Sequence, residues 1–254
     1  MCKNLISDCR KLIVAYKTGK LGQTKMPEDN SPSFSCNQVE MRLAYFTLPM
    51  ALNYQRDSYK LWEGALKTWE DKKTRMVFDV ALVSKMSDEE IRKKLLKYKL
   101  ALQPNRHIAT WKTIAKTMVR EWGSFSNFIK VTNGDFLILK DLVQVKCKKQ
   151  FPYLSGPKIF NYWAFILGEY GMVSMKNKGC IEIAPDTHIT QCSVLLGVIT
   201  EDESKKLSKN EISERWRMLL KGSGINPIEM HPPLWFWSRN GFSYKLSKNI
   251  KGSP

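Results

Sequence analysis

Apolar residues recur at helical spacing through most of the first two thirds of the chain, and that pattern restricts the fold more than any other feature. An apolar helix face must be buried against another element, so a chain carrying several in series folds as a packed helical array. Leu5 to Tyr16 is the first such run, followed by a polar connector marked by Gly19, Gly22, Pro27 and Ser31-Pro32-Ser33. Helical patterning returns at Gln38. Pro49 interrupts it, and Met50 to Trp69 reads as a further helix with Leu52, Tyr59, Trp62, Leu66 and Trp69 along one face. Ser87-Asp88-Glu89-Glu90 is a capping-box arrangement, opening a helix through Leu102 that Pro104 and Asn105 end. His107 to Trp122 is closed by Gly123, and Phe136 to Val143 predicts a short helix before a basic stretch at Lys146, Lys148 and Lys149. From Gly171 the pattern changes. Met172 to Met175 and Cys180 to Ile183 alternate at period two around Lys176-Asn177-Lys178-Gly179, which predicts a small β-hairpin. Helices are expected again over Ile189 to Leu196 and Glu211 to Leu220, ahead of a Pro- and Trp-rich stretch. The fold class is mostly α.

Hydrophobic residues make up 43% of the 254 and aromatics 11%, enough for a sizeable interior and too much for a disordered chain. A formal charge of +17 makes a polyanion the expected partner, nucleic acid ahead of an anionic membrane surface. The longest apolar run, Phe160 to Leu167 with Asn161 inside it, falls far short of the ~20 residues a bilayer-spanning helix needs. Asp8 and Arg10 stand where a signal peptide would need an unbroken apolar core. These features predict a soluble intracellular protein, of the cytoplasm and nucleoid or of a nucleus. The six cysteines form no Cys-x-x-Cys pair, so reduced thiols are expected, with no zinc or iron–sulfur site and no cofactor.

Two segments carry chemistry. In Phe151-Pro152-Tyr153-Leu154-Ser155-Gly156-Pro157-Lys158 a tight Ser-Gly-Pro turn opens an apolar helix, leaving backbone N–H groups at the positive end of its dipole to meet a phosphate. Lys158 sits in that first turn. Burial beside aromatic residues, together with the dipole, would disfavour its ammonium form and leave a nucleophilic amine. In Ile183-Ala184-Pro185-Asp186-Thr187-His188-Ile189 an acidic residue stands at the start of the next helix, 28 residues after the lysine. Alone, Lys158 reads more simply as a phosphate contact and Asp186 as a helix N-cap.

Together these segments resemble the helix-hairpin-helix DNA glycosylases, the base-excision family that includes endonuclease III and the 8-oxoguanine glycosylases. Gly156-Pro157-Lys158 matches the end of the family's lysine hairpin, and Pro185-Asp186-Thr187-His188-Ile189 matches its aspartate stretch. Ala51-Leu52-Asn53-Tyr54-Gln55 is similar to the family's helix bearing a glutamine that faces the lesion or the gap it leaves. The resemblance spans Arg42 to the C-terminus. Leu154 replaces the first hairpin glycine, the lysine-to-aspartate spacing is long, and no cysteine follows Cys192 to make an iron–sulfur loop. Pro227-Ile228-Glu229-Met230-His231-Pro232-Pro233-Leu234-Trp235-Phe236-Trp237 looks closest to the archaeal-type 8-oxoguanine glycosylases, although Pro232-Pro233 departs from the acidic residue usual after the histidine.

The resemblance implies two helical subdomains flanking a DNA-binding cleft, with a helix-hairpin-helix motif. Its organisation would be a 1–44 N-terminal helical segment packing with the C-terminal part, a 45–158 central subdomain ending in the hairpin, and a 159–254 C-terminal subdomain with the aspartate and the Trp-rich tail. It implies a monomeric base-excision glycosylase with AP-lyase activity on double-stranded DNA, removing 8-oxoguanine through a lysine Schiff base. Lys158 and Asp186 would be catalytic. Gln55, Tyr162, Trp237 and Trp235 would bind the base, Trp237 favoured with Trp235 close behind; if the segment is extended, alternate side chains point opposite ways, so at most two of Trp235, Phe236 and Trp237 face the cleft. Ser155, Gly156, Lys146, Lys148 and Lys149 would meet the DNA backbone. Tyr162, one helical turn after Lys158, serves either the pocket mouth or the core. The rivals are a monofunctional glycosylase for uracil or another modified base, with Asp186 activating water, and a non-enzymatic helix-hairpin-helix DNA-binding protein.

Overall fold

A computed structural model describes residues 2–22 and 24–246. Among the described residues thirteen α-helices account for most of the chain. They are α1 (Cys2–Lys17), α2 (Val39–Ala51), α3 (Ser58–Glu70), α4 (Val80–Lys85), α5 (Asp88–Lys97), α6 (Arg106–Thr117), α7 (Phe125–Thr132), α8 (Phe136–Lys140), α9 (Pro157–Glu169), α10 (Thr187–Leu195), α11 (Glu201–Lys206), α12 (Lys209–Leu220) and α13 (His231–Arg239). The chain divides into two compact units, 26–178 and 1–25 with 179–254. None of the described helices is long and apolar enough to cross a membrane. Residues 247–254, the end of the expected C-terminal segment, lie outside the described residues.

In the 26–178 unit, α2 is the spine: every residue from Arg42 to Ala51 is buried, as expected of a helix apolar on all sides. Tyr45 and Phe46 pack within an aromatic cluster of Phe34, Trp62, Trp69 and Phe78, with ring centroids 4.8–5.9 Å apart. Thr47 accepts a 3.0 Å hydrogen bond from the Trp163 indole, fixing α9 against α2. Gly64 lets α3 come close to the end of α5, since a Cβ there would lie 2.7 Å from the Tyr98 carbonyl. Pro49 does not divide α2; the helix runs two residues beyond it.

The expected helix from Met50 to Trp69 is broken. Leu52 closes α2, and α3 begins only at Ser58, where the Asp57 carboxylate caps it by accepting from the Lys60 N–H at 2.9 Å. Between them Gln55 adopts a positive φ of 48°. Arg56 anchors this turn by donating to the Leu100 and Lys99 carbonyls at 2.7 and 2.8 Å. The Ser87 capping box forms as expected, but α5 stops at Lys97 rather than Leu102.

The predicted β-hairpin does not form, and no strand occurs among the described residues. Val173 N–H bonds the Leu167 carbonyl, Lys176 N–H the Gly134 carbonyl and Phe136 N–H the Lys176 carbonyl, so 173–176 is held by other partners than 180–183. The alternation survives only as burial: Val173 and Met175 are buried between exposed Met172, Ser174 and Lys176. One covered face produces that pattern whether or not a strand partner exists.

In the other unit, α1 packs on α13 and α12, with Tyr16 stacked on Phe236 at 5.8 Å. The Trp216 indole donates to Ser193 at 2.8 Å, and the Ser213 hydroxyl donates to the Ile183 carbonyl at 3.0 Å. The Trp-rich stretch is the helix α13.

Candidate nucleic-acid interface

The turn before Lys158 is built by its own backbone. Ser155 N–H bonds the Phe151 carbonyl and Gly156 N–H the Tyr153 carbonyl, both at 2.9 Å, with Tyr153 at a φ of 61°. Upstream, α8 widens at Asp141–Lys146, where Cys147 N–H reaches the Leu142 carbonyl, and a short turn at Lys148–Gln150 follows. Phe151 and Leu154 are fully buried and hold the turn to the core. Gly156 is the N-cap of α9 and Pro157 its first residue, so no side chain caps the helix. Pro157 has no N–H, and those of Lys158 and Ile159 fall in the first turn, where a helix offers no carbonyl of its own; such groups suit an anion. Lys158 is exposed, not desolvated as expected.

Around this turn the expected backbone contacts differ in availability. Ser155 is 9% exposed, and its carbonyl accepts from Gln144 at 2.9 Å. Lys148 and Lys149 are exposed, whereas Lys146 is paired with Asp141 at 2.6 Å. The Gln55 turn lies against the lysine turn, because Tyr54 packs on Tyr153 with ring centroids 5.4 Å apart. Arg106 adds its guanidinium over the same Tyr153 ring, 5.4 Å from the centroid. Tyr54 remains 41% exposed and Gln55 is exposed, on a turn rather than a helix. Tyr54 and Tyr153 stand inside the quoted motifs without a role of their own, and Arg106 outside them, because nothing local marks their stacking.

Tyr162 is half-buried on α9, and its hydroxyl donates to the carboxyl of Glu28. Glu28 is 1% exposed, and burial pushes its carboxyl up to about 7 although the Tyr162 hydrogen bond acts in the opposite direction.

In the 1–25 and 179–254 unit, Asp186 caps α10, its carboxylate accepting from the Ile189 N–H at 2.9 Å. Two residues on, the His188 ring meets the edge of Trp235 at 5.7 Å and its Nδ1 lies 3.0 Å from the Ser238 hydroxyl. Arg239, one turn after Trp235 on α13, covers that ring at 4.8 Å. On the helix the two tryptophans differ in exposure. Trp235 is half-buried beside the Asp186 cap, while Trp237 is 3% exposed, bonded to the Tyr244 carbonyl and packed edge-on against Phe242. Arg239 was legible as a cation four residues after an aromatic once the segment is taken as a helix.

No protein-family model matches this chain, and comparison with curated proteins finds no relative.

Proposed function

We propose that the protein is a base-excision DNA glycosylase with AP-lyase activity, most suited to 8-oxoguanine. The observation that carries this reading is the start of α9, which no side chain caps and where an exposed lysine stands in the first turn after a tight turn. Residues 136–169 are taken as the helix-hairpin-helix. Phosphate contacts at Lys148, Lys149 and the α9 N-terminus would hold the duplex while a damaged nucleotide is extruded. The Lys158 amine then attacks C1′ of the deoxyribose, and the bond to the base breaks with its electron pair leaving on the base. The amine loses a proton as the ring-opened Schiff base forms, and β-elimination of the 3′ phosphate cuts the strand. Asp186 stabilises positive charge on the sugar. The protein acts as an intracellular monomer without a cofactor.

Exposure of Lys158 favours one rival, a monofunctional glycosylase in which the lysine only binds phosphate. A panel of single-lesion duplexes tests both: base release with coupled strand cleavage supports the lyase, release without cleavage supports the rival, and no release from any lesion overturns both.

A further inference from the structure

Residues 26–29 form a short strap on α9 that the proposed chemistry leaves unused. Met26, Pro27 and Glu28 are all buried, and the strap is tied internally by the Met26 N–H donating to the Asp29 carboxylate at 2.6 Å. Two tyrosines of α9 fasten it: Tyr162 donates to Glu28, and Tyr170 donates to Asp29 at 2.6 Å. Lys158 and Tyr162 are spaced four residues apart, so they stand on one side of the helix, a turn from each other. A carboxyl taken almost wholly out of water is costly to ionise without partners, so its placement against a phenol needs a reason.

We propose that Glu28 is a positioning residue for the Lys158 site, its buried carboxyl holding the Tyr162 side chain in place one turn beyond the lysine. This rests on the reading of Lys158 as the nucleophile. A tyrosine held at its hydroxyl keeps its ring in one orientation, and a fixed wall beside an exposed lysine limits the directions from which a sugar can approach. The strap thereby fixes the hydroxyl end of a half-buried side chain. Titratable groups on the elements packed against Glu28 are Asp29 on its own turn, Lys158, Tyr162, Glu169 and Tyr170 on α9, and Tyr59, Lys60, Glu63, Lys67 and Glu70 on α3. Of these, Tyr162 favours ionisation of Glu28 and Asp29 opposes it. The state of the carboxyl thus changes close to neutral pH, and the hold on Tyr162 changes with it.

The test is the rate of borohydride trapping on a duplex carrying an abasic site, measured from pH 5.5 to 9 with the full chain. Glu28→Gln keeps the size and an acceptor for Tyr162; Tyr162→Phe keeps the ring and loses the hydroxyl, which covers the case in which the first variant does not fold. Tyr162→Phe should trap about tenfold more slowly than wild type, and Glu28→Gln, which keeps the acceptor but does not titrate, should trap at a rate that no longer varies near pH 7. Wild type should show an inflection near pH 7 that Glu28→Gln lacks. Trapping by both variants at the wild-type rate with the wild-type pH profile would overturn the assignment of Glu28. Undiminished trapping by Lys158→Ala is a different failure, removing the reading of Lys158 and this inference with it.

Discussion

Raising the pH through neutrality should weaken the fold by way of one carboxyl. Glu28 is 1% exposed, and its pKa rises from 4.5 to about 7 on folding, chiefly because burial disfavours the charged form. A carboxyl with a raised folded pKa stabilises fully below its unfolded value, and that contribution is lost as pH climbs through the folded value. At about 1.4 kcal/mol per pH unit, the interval from 4.5 to about 7 amounts to about 3 kcal/mol. That is a large part of the ~5–15 kcal/mol typical of a folded protein. Urea unfolding at pH 5, 7 and 8.5 measures it, with Glu28→Gln as the reference, since an amide does not titrate. The difference between wild type and variant should shift by between about 2 and 3 kcal/mol in favour of the variant between pH 5 and pH 8.5. Parallel stability profiles would show that the carboxyl is not buried as described.

Three further outcomes follow from particular contacts. Gly64→Ala should lower stability by about 1–3 kcal/mol in urea unfolding, because the added carbon meets the Tyr98 carbonyl at 2.7 Å. Asp186→Ala should lose about 1 kcal/mol through the missing cap while Asp186→Asn loses only a few tenths; both should slow single-turnover base excision by ~10²-fold or more if the charge acts on the sugar. Replacing both Lys148 and Lys149 by Gln should flatten the slope of log affinity for duplex DNA against log salt by about 2, and an unchanged slope would remove both from the interface.

What the sequence disclosed of this fold is what is written locally. The Ser87 capping box and the Asp186 cap need only a few consecutive residues, so both were legible before any tertiary contact was known. The end of α5 was not: Lys99 closes it at a φ of 56°, a conformation usually given to glycine. Gln55 moved from a helix to a turn because Arg56 bonds two carbonyls more than forty residues away, a tertiary decision that no periodicity records. The missing hairpin failed for a related reason, since alternation reports a covered face and not the element that covers it. At the candidate site, the lysine turn and the aspartate were visible as motifs. The stacking of Tyr54, Tyr153 and Arg106 and the grip of Glu28 on Tyr162 arise from residues 47 to 134 positions apart, beyond any local pattern.

The central claim is that Lys158 forms a covalent bond to the deoxyribose. Incubating the protein with an 8-oxoguanine duplex in borohydride, digesting the trapped adduct and locating the modified residue by tandem mass spectrometry tests it directly. A single modified lysine at position 158 is expected, and no adduct with Lys158→Ala. A modification at any other residue, or base release by wild type with no adduct at all, would contradict it.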